Sequence, residues 1–107
     1  MLKKTERTIE KYKKAGAMMR LYKTLGSKLM VEISGVLSAA DQDKMMRAMR
    51  RIDEVCSNAE DNMFRDFPQL SDRCIDVFYG ATDMEPRGEV DTEIIALSKE
   101  VADGLTK

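Results

Sequence analysis

Ile9, Tyr12, Gly16, Met19, Tyr22, Leu25, Leu29, Ile33 and Val36 follow one another at steps of three or four residues. That spacing marks one face of an α-helix and is foreign to the two-residue alternation of a strand. It predicts a long helix over residues 3–36. The mean step falls slightly under 3.6, so the apolar stripe drifts around the helix and meets different neighbours at its two ends. Gly16, Gly26 and Gly35 weaken the segment locally and predict either a kink or the close approach of another element.

Ser38-Ala39-Ala40-Asp41 has the form of an N-cap followed by an acid three residues on, a short version of the capping box. A second apolar stripe runs from it through Met45, Ala48, Met49, Ile52, Val55, Cys56, Ala59 and Met63 to Phe67, where Pro68 disfavours helical geometry. Two long helices joined by so short a connection must lie antiparallel. Beyond Pro68, Ser71 is placed to cap a short helix through Cys74, Ile75, Phe78 and Tyr79, closed by Gly80. After a loop over 81–90, Asp91 is placed to cap a last helix carrying Ile94, Leu97 and Val101. The expected fold is all-α: one domain over 1–107 with helices near 3–36, 39–67, 72–79 and 91–103. A long antiparallel hairpin is completed into a small bundle by the short and C-terminal helices. A hairpin this long outreaches the C-terminal helix, so a homodimer is expected to complete the core.

Charge is distributed unevenly along this frame. Residues 1–51 hold thirteen Lys/Arg against five Asp/Glu, and residues 52–107 hold five against fourteen, within a net charge of −1. Such a split points to charged macromolecular partners or to pairing within the chain. Lys3, Lys4, Arg7, Lys11 and Lys14 share one side of the first helix and, with Arg20, could contact phosphates. No aromatic is interleaved with them for base stacking and no helix-turn-helix spacing is visible. Asp61, Asp66, Asp72, Asp76, Asp83, Glu85 and Glu89 form the matching candidate acidic face. In an antiparallel hairpin Lys14 and Lys23 would lie near Glu60 and Glu54, so part of the opposite charge is expected to set register internally.

The chain has no histidine, which removes His-based triads, the Glu-x-x-His di-iron signature and the common zinc sites. No nucleotide-binding glycine loop or nucleophile elbow is present. Asp83, Glu85, Gly88, Glu89 and Asp91 fall at calcium-loop positions, yet Arg87 and Ile94 occupy two positions that need oxygen ligands. No metal, cofactor or catalytic residue is therefore expected, and the chain is read as not an enzyme. Cys56 and Cys74 occupy apolar helical positions and are expected to be buried free thiols, as in a reducing compartment. Nine methionines, including the Met18-Met19 and Met45-Met46 pairs, suit a helical core with some exposed, adaptable surface.

The segment opening Met1-Leu2-Lys3-Lys4 has no apolar run of the signal-peptide kind, and no stretch is long enough to span a bilayer. A soluble, cytoplasmic protein without membrane contact is the expectation. Its expected role is that of a non-catalytic helical binding or regulatory protein acting on another protein. The alternatives are a nucleic-acid-associated regulator using the basic helix, and a small inhibitor, of the kind mobile elements carry, that places its acidic half in the groove of a nucleic-acid enzyme.

Overall fold

The structure, a computed structural model, describes residues 3–70, 72–82 and 85–105, with the backbone alone for Lys4, Asp72 and Arg73. Among these residues there are three α-helices and no strand: α1 (Ile9–Ile33), α2 (Ala39–Asp66) and α3 (Glu89–Leu105). Two 3-10 segments, Lys4–Glu6 and Asp72–Val77, accompany them. The all-α hairpin with a covering C-terminal helix is thus observed.

The helix ends follow from local chemistry. Thr8 caps α1 by accepting from the Lys11 N–H at 3.2 Å, and Ser38 caps α2 by accepting from the Asp41 N–H at the same distance. The cap at Thr8 begins α1 later than the periodicity suggested, since residues 4–6 turn as a 3-10 helix instead. At its other end α1 stops at Ile33, and a turn carries the Val36 and Leu37 N–H groups back to the Ile33 carbonyl. Gln42 donates from Nε2 to the carbonyls of Ser34 and Leu37 at 2.9 and 3.0 Å, satisfying acceptors that a helix terminus leaves open. Phe67, before Pro68, leaves helical geometry at φ −132° and ψ 72° and ends α2. The segment read as a short α-helix is a 3-10 helix ending at Val77. Ser71, its expected cap, lies outside the described residues.

Pairing along the hairpin runs antiparallel: Arg7 with Asp66, Met19 with Cys56, Lys23 with Asp53, Gly26 against Met49, Gln42 with Ser34. The 3-10 segment and α3 lie over one side of its proximal half. Ser98 on α3 reaches the Ala17 carbonyl at 2.9 Å, and Asp91 reaches Arg20, so α3 runs antiparallel to α1. The core sits where these layers meet, around Ala17, Cys56, Met63, Cys74, Val77, Phe78 and Ile94. Gly16 is the point of closest approach: a Cβ there would stand 2.8 Å from the Val77 carbonyl carbon. α1 continues through Gly16 and Gly26 as one helix. Gly16 therefore serves close packing against backbone, whereas Gly26 faces only the end of the Met49 side chain.

With α3 covering only the proximal half, the molecule is elongated, 46 × 28 × 25 Å. The distal arms of α1 and α2 extend past it as a two-helix projection. No described helix is long and apolar enough to cross a membrane.

Candidate functional site

A buried ionic knot joins the hairpin to everything that follows it. Arg20 is 0% exposed. Its Nε donates to the Gly80 carbonyl at 2.9 Å, Nη1 to Asp76 O at 2.6 Å and Nη2 to Ala81 O at 2.7 Å. The same Nη2 stands 2.7 Å from Asp91 Oδ1, an ion pair without the alignment of a hydrogen bond. The other carboxylate oxygen of Asp91 accepts from the Arg87 N–H at 2.7 Å. Arg87 also meets the Asp76 carboxylate at 2.9 Å and donates to the Tyr79 carbonyl at 2.7 Å. Two cations and two anions thus close a neutral cluster, which is the condition for burying charge at tolerable cost. The loop can wrap so tightly because Gly80 has φ +122° and no Cβ; one would lie 2.7 Å from Arg20 Nη2.

This knot corrects several sequence expectations. Arg20, expected among the phosphate-contacting residues, and Asp76, expected on the acidic face, are both buried: Arg20 donates to the Asp76 backbone carbonyl, and the Asp76 carboxylate meets Arg87. Asp91 is not the cap of α3, which begins at Glu89; its buried side chain reaches back to the preceding loop. Arg7 and Asp66 are also joined, at 2.7 Å, and Tyr12 donates to the same carboxylate. Lys14 lies beside Leu97, Glu100 and Val101 of α3, while Lys23 pairs with Asp53 at 3.6 Å, in the region of Glu54 that the antiparallel register places opposite it. Of the basic candidates, Lys3, Lys11 and Lys14 remain on the surface; of the acidic ones, Asp61, Glu85 and Glu89 do. Asp83 and the side chains of Lys4 and Asp72 fall outside the described residues.

The pKa shifts follow from these environments. Burial pushes the Asp91 carboxyl upward, but hydrogen bonds from the Arg87 N–H and side chain together with the adjacent Arg20 guanidinium outweigh it, so the net shift is below the usual value of 3.8. Glu60 is shifted up, by burial first and by Asp61 second, and its Oε2 is buried without a hydrogen-bond partner. A depressed carboxyl stabilises the fold above its unfolded pKa, whereas a raised one stabilises it on protonation. Acidification from neutral toward pH 4.5 should therefore raise stability slightly through Glu60. Below 3.8 stability should fall as Asp91 begins to be protonated. Urea midpoints measured against pH check this, and Glu60→Gln should abolish the rise while leaving the fall.

Beyond the knot, the distal hairpin forms an open groove of about 780 Å³ in the same layer as α3. Met30, Met46 and Met49 supply its apolar floor, Lys23, Lys28 and Arg50 its basic edge, and Gly80 and Ala81 its near wall. Asp53 also borders it and pairs with Lys23, whose ammonium lies 4.8 Å from the Tyr79 ring centre. Sequence reasoning identified the methionine pairs as partly exposed, but it placed neither Arg50 nor Lys28 beside them.

Cys56 and Cys74 are buried and free, and burial pushes both thiols up, away from thiolate reactivity. No group of three or more Cys, Asp or Glu among the described residues could hold a metal ion. What the geometry defines is a helical hairpin clamped by a third helix, with a methionine-floored, basic-edged groove at its free end. Neither a protein-family model, nor a curated protein, nor a solved structure matches the chain.

Proposed function

We propose that this chain is a non-catalytic helical binding protein whose ligand is an amphipathic, acidic helix of another protein, seated in the distal groove. The observation that carries the reading is the groove's composition: flexible methionines on the floor with Lys28 and Arg50 at the edge. Met surfaces adapt to varied apolar side chains, and an amphipathic helix laid in such a groove is a recurrent mode of peptide recognition. The dimensions agree. From Lys23 to Ile33 α1 offers about 15 Å, three helical turns, and the vacant layer continues the one that α3 fills beside the proximal half. An acidic partner would meet the basic edge with complementary charge, which favours orientation and association rate more than raw affinity.

The reading is tested with a synthetic three-turn peptide carrying Leu on one face and Glu on the other, followed by methyl NMR. Binding should shift the methyl signals of Met30, Met46 and Met49, and Arg50→Glu should weaken it several-fold. A Lys-bearing version of the peptide should bind worse. The reading would be falsified by unmoved methionine signals with the acidic peptide, or by a duplex DNA that binds more tightly at the same ionic strength.

A further inference from the structure

The opposite side of the hairpin carries a second surface. Met19 and Gly26 on α1 face α2, while Ala17 and Arg20 face α3. At about 100° per residue these directions leave Met18, Tyr22, Leu25 and Leu29 pointing away from α3 along one line. On α2, Cys56 and Met49 face α1, and Asp53 and Ser57 face the Lys23–Tyr79 side. Ala48, Ile52, Val55 and Ala59 consequently turn to the side that Met18 to Leu29 occupy. Met18, Tyr22, Leu25, Leu29 and Val55 are between 41 and 63% exposed. Together they present on the order of 500 Å² of apolar surface, toward the upper end of what a lone monomer leaves uncovered.

We infer that a second copy of this chain covers this face, with each α1 stacked on the partner's α2 about a two-fold axis parallel to the hairpin. Three observations select that occupant and that arrangement. First, the two stripes complement each other in size: Met18, Tyr22, Leu25 and Leu29 form a high ridge, and Ala48, Ile52, Val55 and Ala59 form a shallow channel. Ridge into channel fills space, whereas ridge on ridge leaves voids. Second, charge beside one stripe complements charge beside the other. Lys11 lies at one end of the α1 stripe and Glu32 at the other, and Lys44 of α2 lies near the level of Glu32. Placing α1 over the partner's α2 brings Glu32 toward Lys44, whose partner within the chain is the exposed Asp41 at 3.8 Å. Within one chain Glu32 and Lys44 stand on opposite outer edges of the hairpin. Third, the stacking makes every neighbouring pair in the resulting four-helix layer antiparallel, as in the hairpin itself. This face is separate from the methionine-floored groove, so the two surfaces can be occupied together.

Sedimentation equilibrium on the full chain tests the inference. The expected mass is twice 12.1 kDa. Leu25→Glu and Val55→Glu, at exposed positions that the fold itself does not need, should each weaken the dimer at least about thirtyfold, as loss of a buried interface anchor does. Glu32→Lys should weaken it about two- to fivefold, the range of an exposed ion pair. Adding Lys44→Glu to that variant should restore it. A monomer, or a dimer indifferent to Leu25→Glu and Val55→Glu, overturns the proposal. Restoration of Glu32→Lys by Lys11→Glu instead would mean that α1 stacks on α1, and this too overturns it. Circular dichroism of each variant, expected to match the parent, separates dissociation from unfolding.

Discussion

Replacing Arg20 by Ala should destabilise the protein by about 3–5 kcal/mol, the cost of removing one partner from a buried ion pair. Three carbonyls, of Asp76, Gly80 and Ala81, would lose their donor, and Asp91 would keep only Arg87. Because small proteins unfold with about 5–15 kcal/mol in total, this is a large fraction. Thermal unfolding should fall by roughly 12 °C or more for a chain of this size. Arg20→Lys should recover little, since a single ammonium cannot address three divergent carbonyls and a carboxylate as the planar guanidinium does. The loss should appear as detachment of the 76–91 region from α1 before global unfolding, visible as faster amide exchange in α3. A measured loss under about 1 kcal/mol would mean that the knot contributes nothing beyond a surface ion pair.

The second large effect is a contrast between two glycines of one helix. In an exposed helix interior, Gly→Ala gains about 0.5–1 kcal/mol. At Gly16 the new methyl would meet the carbonyl group and Cγ1 of Val77, the latter at 2.5 Å. Backbone cannot yield as a side-chain tip can, so the 3-10 segment must move off α1, and a net loss of about 1–3 kcal/mol is expected. At Gly26 the obstruction is Cε of Met49, at 2.6 Å, the end of a flexible chain bordering an open groove. Met49 can swing aside, so Gly26→Ala should be neutral or stabilising. Urea denaturation of the two variants in parallel checks the difference, and equal destabilisation would show that Met49 is held as firmly as the backbone.

Much of the hairpin was readable because its determinants are local. Ser38 and Asp41 announce the start of α2, Pro68 its end, and the steps of three and four give α2 nearly at its observed bounds, while α1 starts at Ile9 and ends at Ile33, inside the expected 3–36. Even the close approach at Gly16 could be anticipated, since a glycine within an apolar stripe invites a neighbour. The members of the methionine pairs divide as a helical period requires, Met19 inward and Met18 outward, Met45 inward and Met46 outward. The groove and the knot were not readable. Arg20 looks, in sequence, like one more cation of a basic helix, because the carbonyls that receive it belong to a turn about sixty residues away. Asp91 looks like a helix cap for the same reason: acids are common at helix starts, and only the position of Arg20 turns this one inward.

The sequence by itself thus determined that the chain is helical, where the hairpin turns and α2 begins and ends, and which reaction chemistries lack the residues they need. These properties depend on side-chain periodicity and on capping over a few residues. Tertiary structure alone decided which charges are internal and which face solvent. Arg7, Arg20, Asp66, Asp76 and Asp91 bind within the fold, while Lys11, Glu32, Lys44 and Arg50 remain outside. The physical reason is that burial of a charge depends on the convergence of distant donors and acceptors, a property of how α3 and the Gly80 turn come down on α1.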